Sequence, residues 1–98
     1  MTLRLLPMAV ALAALSGTAA AADANLARNL AATCFTCHGN NGKSVGGMEP
    51  LDGVKKQNII EKMNEFRLGS KPATLMHQIT KGYTDQQIEL IADYFSKL

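Results

Sequence analysis

The chain has no tryptophan and only five other aromatic residues, two tyrosines and three phenylalanines, in 98 residues. Its charges are few and nearly balanced, 10 basic against 8 acidic, and no basic run forms. Nucleic-acid binding leaves a clustered positive footprint, which is missing here. Long hydrophobic runs are missing too. The longest apolar stretch, Leu5 to Leu15, covers about 11 residues, whereas a bilayer-spanning helix takes about 20. No second stretch follows, so membrane insertion is not expected. No segment shows the apolar/polar alternation of a half-buried strand. A length of 98 residues leaves room for one domain and excludes a multidomain enzyme.

The short apolar stretch has the order of a secretory leader. Arg4 supplies the positive start, Leu5–Leu15 the apolar centre and Ser16-Gly17-Thr18 a polar break, and Ala20-Ala21-Ala22 offers a small-residue cleavage site. Residues 1–22 are therefore expected to be a signal peptide, and residues 23–98 the working domain, exported to the periplasm. That domain has 76 residues, of which about 22 are large and apolar. Such a core is thin, and domains this small commonly need a staple. In an oxidising compartment a lone pair of cysteines would by default become a disulfide. The spacing of these two argues against that.

The remaining pattern is helical. Leu26, Ala27, Leu30 and Ala31 repeat at helical spacing in Ala24–Thr33, which runs straight into Cys34. From Gly39 to Gln57 the period vanishes among five glycines and Pro50, predicting a long irregular loop. Loops of that length are usually functional. Asn58 is placed to cap a helix through Leu68, with Gly69 as its stop. Pro72 is placed to open a short helical turn over Ala73–Thr80 that ends at Gly82. Thr84-Asp85-Gln86-Gln87 reads as a capping box, and Ile88, Ile91, Ala92 and Phe95 follow at i, i+3, i+4 and i+7. The predicted fold class is all-α.

Chemistry concentrates in Cys34-Phe35-Thr36-Cys37-His38, the attachment motif of c-type haem. Two cysteines three apart at a helix end can form thioethers to both vinyl groups of one porphyrin. The adjacent histidine is then carried beneath the iron. A structural disulfide between Cys34 and Cys37 would close only a tiny loop, and tight pairs of this kind are redox-active more often than structural. A thioredoxin-like site needs a βαβ context that the chain does not offer. A zinc centre would have to use Cys34, Cys37, His38 and His77, with no second close pair among them.

Iron in a haem has a second axial position. The candidates are Met48, Met63, Met76 and His77. Met48 sits in the glycine-rich loop near His38. Met63 falls on the apolar side of a predicted helix, where methionine is usually core. His77 would make a bis-histidine site. Met76, 38 residues after His38 and just beyond Lys71-Pro72-Ala73, is the best placed to approach the far face.

Taken in order, the helix, Cys34–His38, the glycine loop, Pro50-Leu51-Asp52-Gly53, a methionine and a terminal helix ending Ile91-Ala92-Asp93-Tyr94-Phe95 resemble the class I c-type cytochromes. The segment Ala73–Asp85 is more narrowly similar to the small cytochrome subunits of flavocytochrome c sulfide dehydrogenases and to c4-type domains. The resemblance implies a class I cytochrome c fold whose short helices and glycine-rich loop enclose one covalent haem c. It implies Cys34 and Cys37 as attachment points, His38 and Met76 as iron ligands, and Pro50 as the residue whose carbonyl orients His38. It also implies terminal helices that cross, packing Leu26, Leu30 and Ala31 against Leu90, Ile91 and Tyr94.

With both axial positions filled, the expected role is electron transfer by Fe(II)/Fe(III) cycling, not catalysis. The implied partner is a redox protein, and in the sulfide dehydrogenase case a flavoprotein subunit. The competing readings are an exported thiol–disulfide oxidoreductase using Cys34 and Cys37, and a haem-based ligand-binding module.

A porphyrin would bury several hundred Å² of mostly apolar surface, on the order of 10 kcal/mol at ~25 cal/mol per Å², comparable to the ~5–15 kcal/mol net stability of a small domain. The haem-free chain is therefore expected to be unfolded or molten. A Cys34→Ala/Cys37→Ala variant made without haem should show no cooperative melt by circular dichroism; a native-like melt would refute the expectation.

Overall fold

Helix α5, Asp85–Ser96, carries the molecule's most regular apolar stripe, and the other elements pack around it. The computed structural model describes residues 2–3 and 17–98. The expected leader lies largely outside the described residues, which resume at Gly17. Helix α1 runs Gly17–Ala32, followed by the single turn α2, Phe35–His38, and a 3₁₀ turn at Asn40–Gly42. After the loop come α3, Lys56–Leu68, and the short α4, Met76–Ile79. A 3₁₀ turn, Thr80–Gly82, leads into α5. Among the described residues there is no strand.

The core is built where α1 and α3 meet α5. Ile88, Ile91, Ala92 and Phe95 are all buried, as the stripe predicts, together with Ala31, Ile59 and Met63. Burying each large side chain among these stabilises the fold by about 1.5–3 kcal/mol. Leu30 and Tyr94 pack against this cluster, whereas Leu26 is 42% exposed. The crossing of terminal helices that the resemblance implies is present, with Ala31 buried and Leu30 packed on the core, but it leaves Leu26 largely exposed. Phe35, Tyr94 and Phe95 form an aromatic trio with ring centroids 5.6–6.5 Å apart.

The helix ends follow local chemistry. At α5 the capping box forms: the Gln87 amide donates to Thr84 Oγ1 at 3.1 Å and the Thr84 amide donates to Gln87 Oε1 at 2.9 Å. At the end of α3, Gly69 adopts φ 78°, its amide donates to the Phe66 carbonyl, and that of Ser70 donates to Glu65. This is the Schellman pattern, which requires a left-handed residue where glycine stands. The start of α3 differs from expectation. It begins at Lys56 because the Asn58 and Ile59 amides both donate to the Lys55 carbonyl, leaving Asn58 inside the first turn, not at its cap. Pro72 likewise opens no helix; the chain stays irregular until α4 begins at Met76.

Directly after α2 the chain reverses at Gly39 (φ 89°, ψ 162°), where a Cβ would overlap the Lys43 carbonyl. This region of backbone space is essentially closed to other residues. Gly39→Ala should therefore cost more than the ~1–3 kcal/mol of the conformation alone, and Thr84→Ala about 1 kcal/mol for the lost cap. Denaturant melts of the two purified holoproteins check the ranking.

Candidate functional site

The Cys34–His38 segment is a helical turn. The Cys34 amide donates to the Ala31 carbonyl and the His38 amide to that of Cys34, both at 3.0 Å. Positions i, i+3 and i+4 share a face of such a turn, so Cys34, Cys37 and His38 fall on one side and all three line a single cavity. Cys34 is half-buried, Cys37 is exposed and His38 is buried. Burial pushes the Cys34 thiol up, with a smaller opposing effect from its hydrogen bond with the Thr33 side chain.

His38 Nδ1 lies 2.6 Å from the carbonyl oxygen of Glu49. A carbonyl only accepts, so Nδ1 carries the proton and donates it, and Nε2 is left with the lone pair a metal ion needs. The sequence-level expectation assigned this acceptor to Pro50. The acceptor is Glu49, one residue earlier, and Pro50 contributes by lining the cavity. The physical reason is the restriction that a proline imposes on its predecessor: Pro50 disfavours helical backbone at Glu49.

The cavity has a volume of about 530 Å³, within the range of cofactor pockets. Its walls come from nearly every element: α2, the glycine loop at Met48–Leu51, α3 through Ile59, Lys62, Met63 and Phe66, the segment Pro72–Met76, and α5 through Ile91 and Phe95. Most of these side chains are apolar. Of the four candidate distal ligands, Met48, Met63 and Met76 all reach the cavity. His77 instead lines a second hollow with Arg67, Lys71 and Lys81, and its Nδ1 is buried without a hydrogen-bond partner. Met63 is also a core residue, 6% exposed, and Met48 rides on an exposed part of the loop. Met76 opens α4, where its carbonyl accepts from the Thr80 hydroxyl at 2.8 Å.

Two contacts around the cavity had no sequence signal. The hydroxyls of Thr33 and Tyr83 lie 2.6 Å apart, tying the end of α1 to the segment behind Met76. The Tyr94 hydroxyl donates to Asn41 Oδ1 at 2.7 Å, and Asn41 has the left-handed φ of 54° that asparagine tolerates. On the loop, Glu49 also forms an ion pair with Lys62 of α3. That pairing is the main reason its carboxyl sits below the ordinary range.

A group carrying vinyl carbons beside two thiols, a metal above an imidazole nitrogen and an apolar ring fits this donor set and these walls. The thiol–disulfide reading is not favoured: among the described residues there is no strand, so the βαβ setting of a thioredoxin-like pair is missing. Among the described residues no three His, Cys, Asp or Glu side chains gather as a metal site, and no helix is long and apolar enough to cross a membrane.

The fold and the site define a small helical domain organised around the Cys34–His38 turn and its cavity. The chain belongs to the cytochrome c family, whose model matches residues 24–98. It is 36% identical over 69 residues to a cytochrome subunit of sulfide dehydrogenase from Chlorobaculum tepidum, covering 70% of this chain and 63% of that one. It is 30% identical to cytochrome c-553 of Nitratidesulfovibrio vulgaris over 96% of each chain. A solved cytochrome c4 from Acidithiobacillus ferrooxidans matches with a TM-score of 0.63 and 37% identity, over 66% of this chain and 38% of that one. The chain thus spans less than two thirds of the sulfide dehydrogenase subunit and of the c4 structure. Membership in the family implies covalently bound haem c.

Proposed function

We propose that Cys34 and Cys37 anchor a single haem c, that His38 and Met76 are its axial ligands, and that the chain relays electrons in the periplasm after removal of residues 1–22. The observation that carries this reading is the meeting of Cys34, Cys37, His38 and Met76 on one apolar cavity, with the His38 proton committed to Glu49. When bound, the haem iron supplies the one-electron Fe(II)/Fe(III) couple. The residues do the rest. His38, held in one tautomer, presents Nε2. The Met76 thioether would donate weakly to ferric iron, which would raise the potential relative to a second histidine. Ile59, Met63, Phe66, Ile91 and Phe95 exclude water. Met76 is preferred over Met48 and Met63 because it is neither a core residue nor part of the outer loop, and because its segment resembles the ligand-bearing segment of the related subunits.

The likeness to the sulfide dehydrogenase subunit supports a flavoprotein as the electron donor. Purification of the chain from native periplasm should bring a flavin-containing protein with it, and adding sulfide should reduce the haem. Recovery as a free monomer that sulfide does not reduce would favour a diffusible carrier.

The ligand assignment is tested by optical spectroscopy of the exported protein. The ferrous form should show a sharp α-band, and the ferric form a weak band at the red end that marks sulfur ligation. Met76→Ala should abolish that band, while Met48→Ala and His77→Ala should retain it. Persistence in Met76→Ala would reassign the ligand, and rapid carbon monoxide binding by the unaltered ferrous protein would favour a ligand-binding module.

A further inference from the structure

Glu49 makes two bonds in different directions. Its main-chain carbonyl receives the His38 proton, and its carboxylate pairs with Lys62 on α3. The approach to Glu49 is otherwise untethered. Among the described residues, Ser44 to Met48 make no hydrogen bond or ion pair, and a Cβ at Gly46 or Gly47 would meet nothing within 4 Å. The next main-chain tether is the Leu51 amide, which donates to the Gly42 carbonyl. A carbonyl delivered by so loose a segment is held more firmly when something fixed grips the same residue. Lys62 is that grip: it stands on a regular helix between the cavity walls Ile59 and Phe66, beside core Met63.

We propose that Lys62 and Glu49 form a positioning pair, through which α3 sets how firmly His38 Nδ1–H is held and so tunes the ferric/ferrous balance. This rests on the haem reading above. A firmly accepted Nδ1 proton raises the basicity of the other nitrogen and favours ferric iron; a loosened one raises the potential. Lys62 and Glu49 are both partly exposed, so the effect is modest. The expected change is about threefold in the ferric/ferrous partition, the scale of an exposed ion pair, or about 28 mV at ~59 mV per tenfold for one electron.

The test is the potential of the exported holoprotein in Glu49→Ala/Lys62→Leu. This double variant keeps the Glu49 carbonyl, an apolar stem on α3 and the net charge. Positioning predicts a raised potential and faster exchange of the His38 Nδ1 proton by NMR, with Lys62→Arg close to the unaltered protein in both. If the pair acts only as two charges, their removal cancels, and the double variant keeps both the parent potential and the parent exchange rate; that result overturns the proposal. Absence of any haem spectrum in the unaltered protein would instead overturn the haem reading, before the pair is tested.

Discussion

One proton, on Nδ1 of His38, decides what this site can be. Held on Nδ1 by the Glu49 carbonyl, it leaves Nε2 as a donor of electrons; moved to Nε2, it would block that nitrogen. Much of the surrounding backbone serves to return the chain to this point. Gly39 turns it back immediately after His38, the loop leaves and re-enters beside Gly42, and the proline after Glu49 limits the backbone that presents the acceptor.

The second constraint is that core and cavity share their walls. Ile59, Met63, Ile91 and Phe95 belong both to the buried cluster and to the cavity lining. In a chain with so few large apolar residues, a haem bound there would complete the core as well. Its binding free energy would then count as folding free energy, as it does for small metal-dependent domains.

Legibility in the sequence followed the range of the interaction. The attachment turn, the capping box at Thr84 and the stop at Gly69 are set by residues a few positions apart, and all could be read. The stripe through Ile88, Ile91, Ala92 and Phe95 was readable because α5 is buried along its length. Features set across the fold were not. Leu26 has the right spacing but is 42% exposed. The acceptor of His38, which the resemblance put at Pro50, is Glu49; no local pattern in the sequence shows which carbonyl of a loop turns inward. Thr33 and Tyr83, 50 positions apart, carry no local mark of their pairing. The sequence offered four distal ligands, and the cavity narrowed these to three methionines by placing His77 outside.

Helix α5 is also the clasp of the loop. The Tyr94 hydroxyl holds Asn41, and the Phe95 carbonyl accepts from the Gly53 amide at 2.9 Å. The Tyr94–Asn41 bond joins residues 53 positions apart, so a change at the far end of α5 is felt at the turn that follows His38.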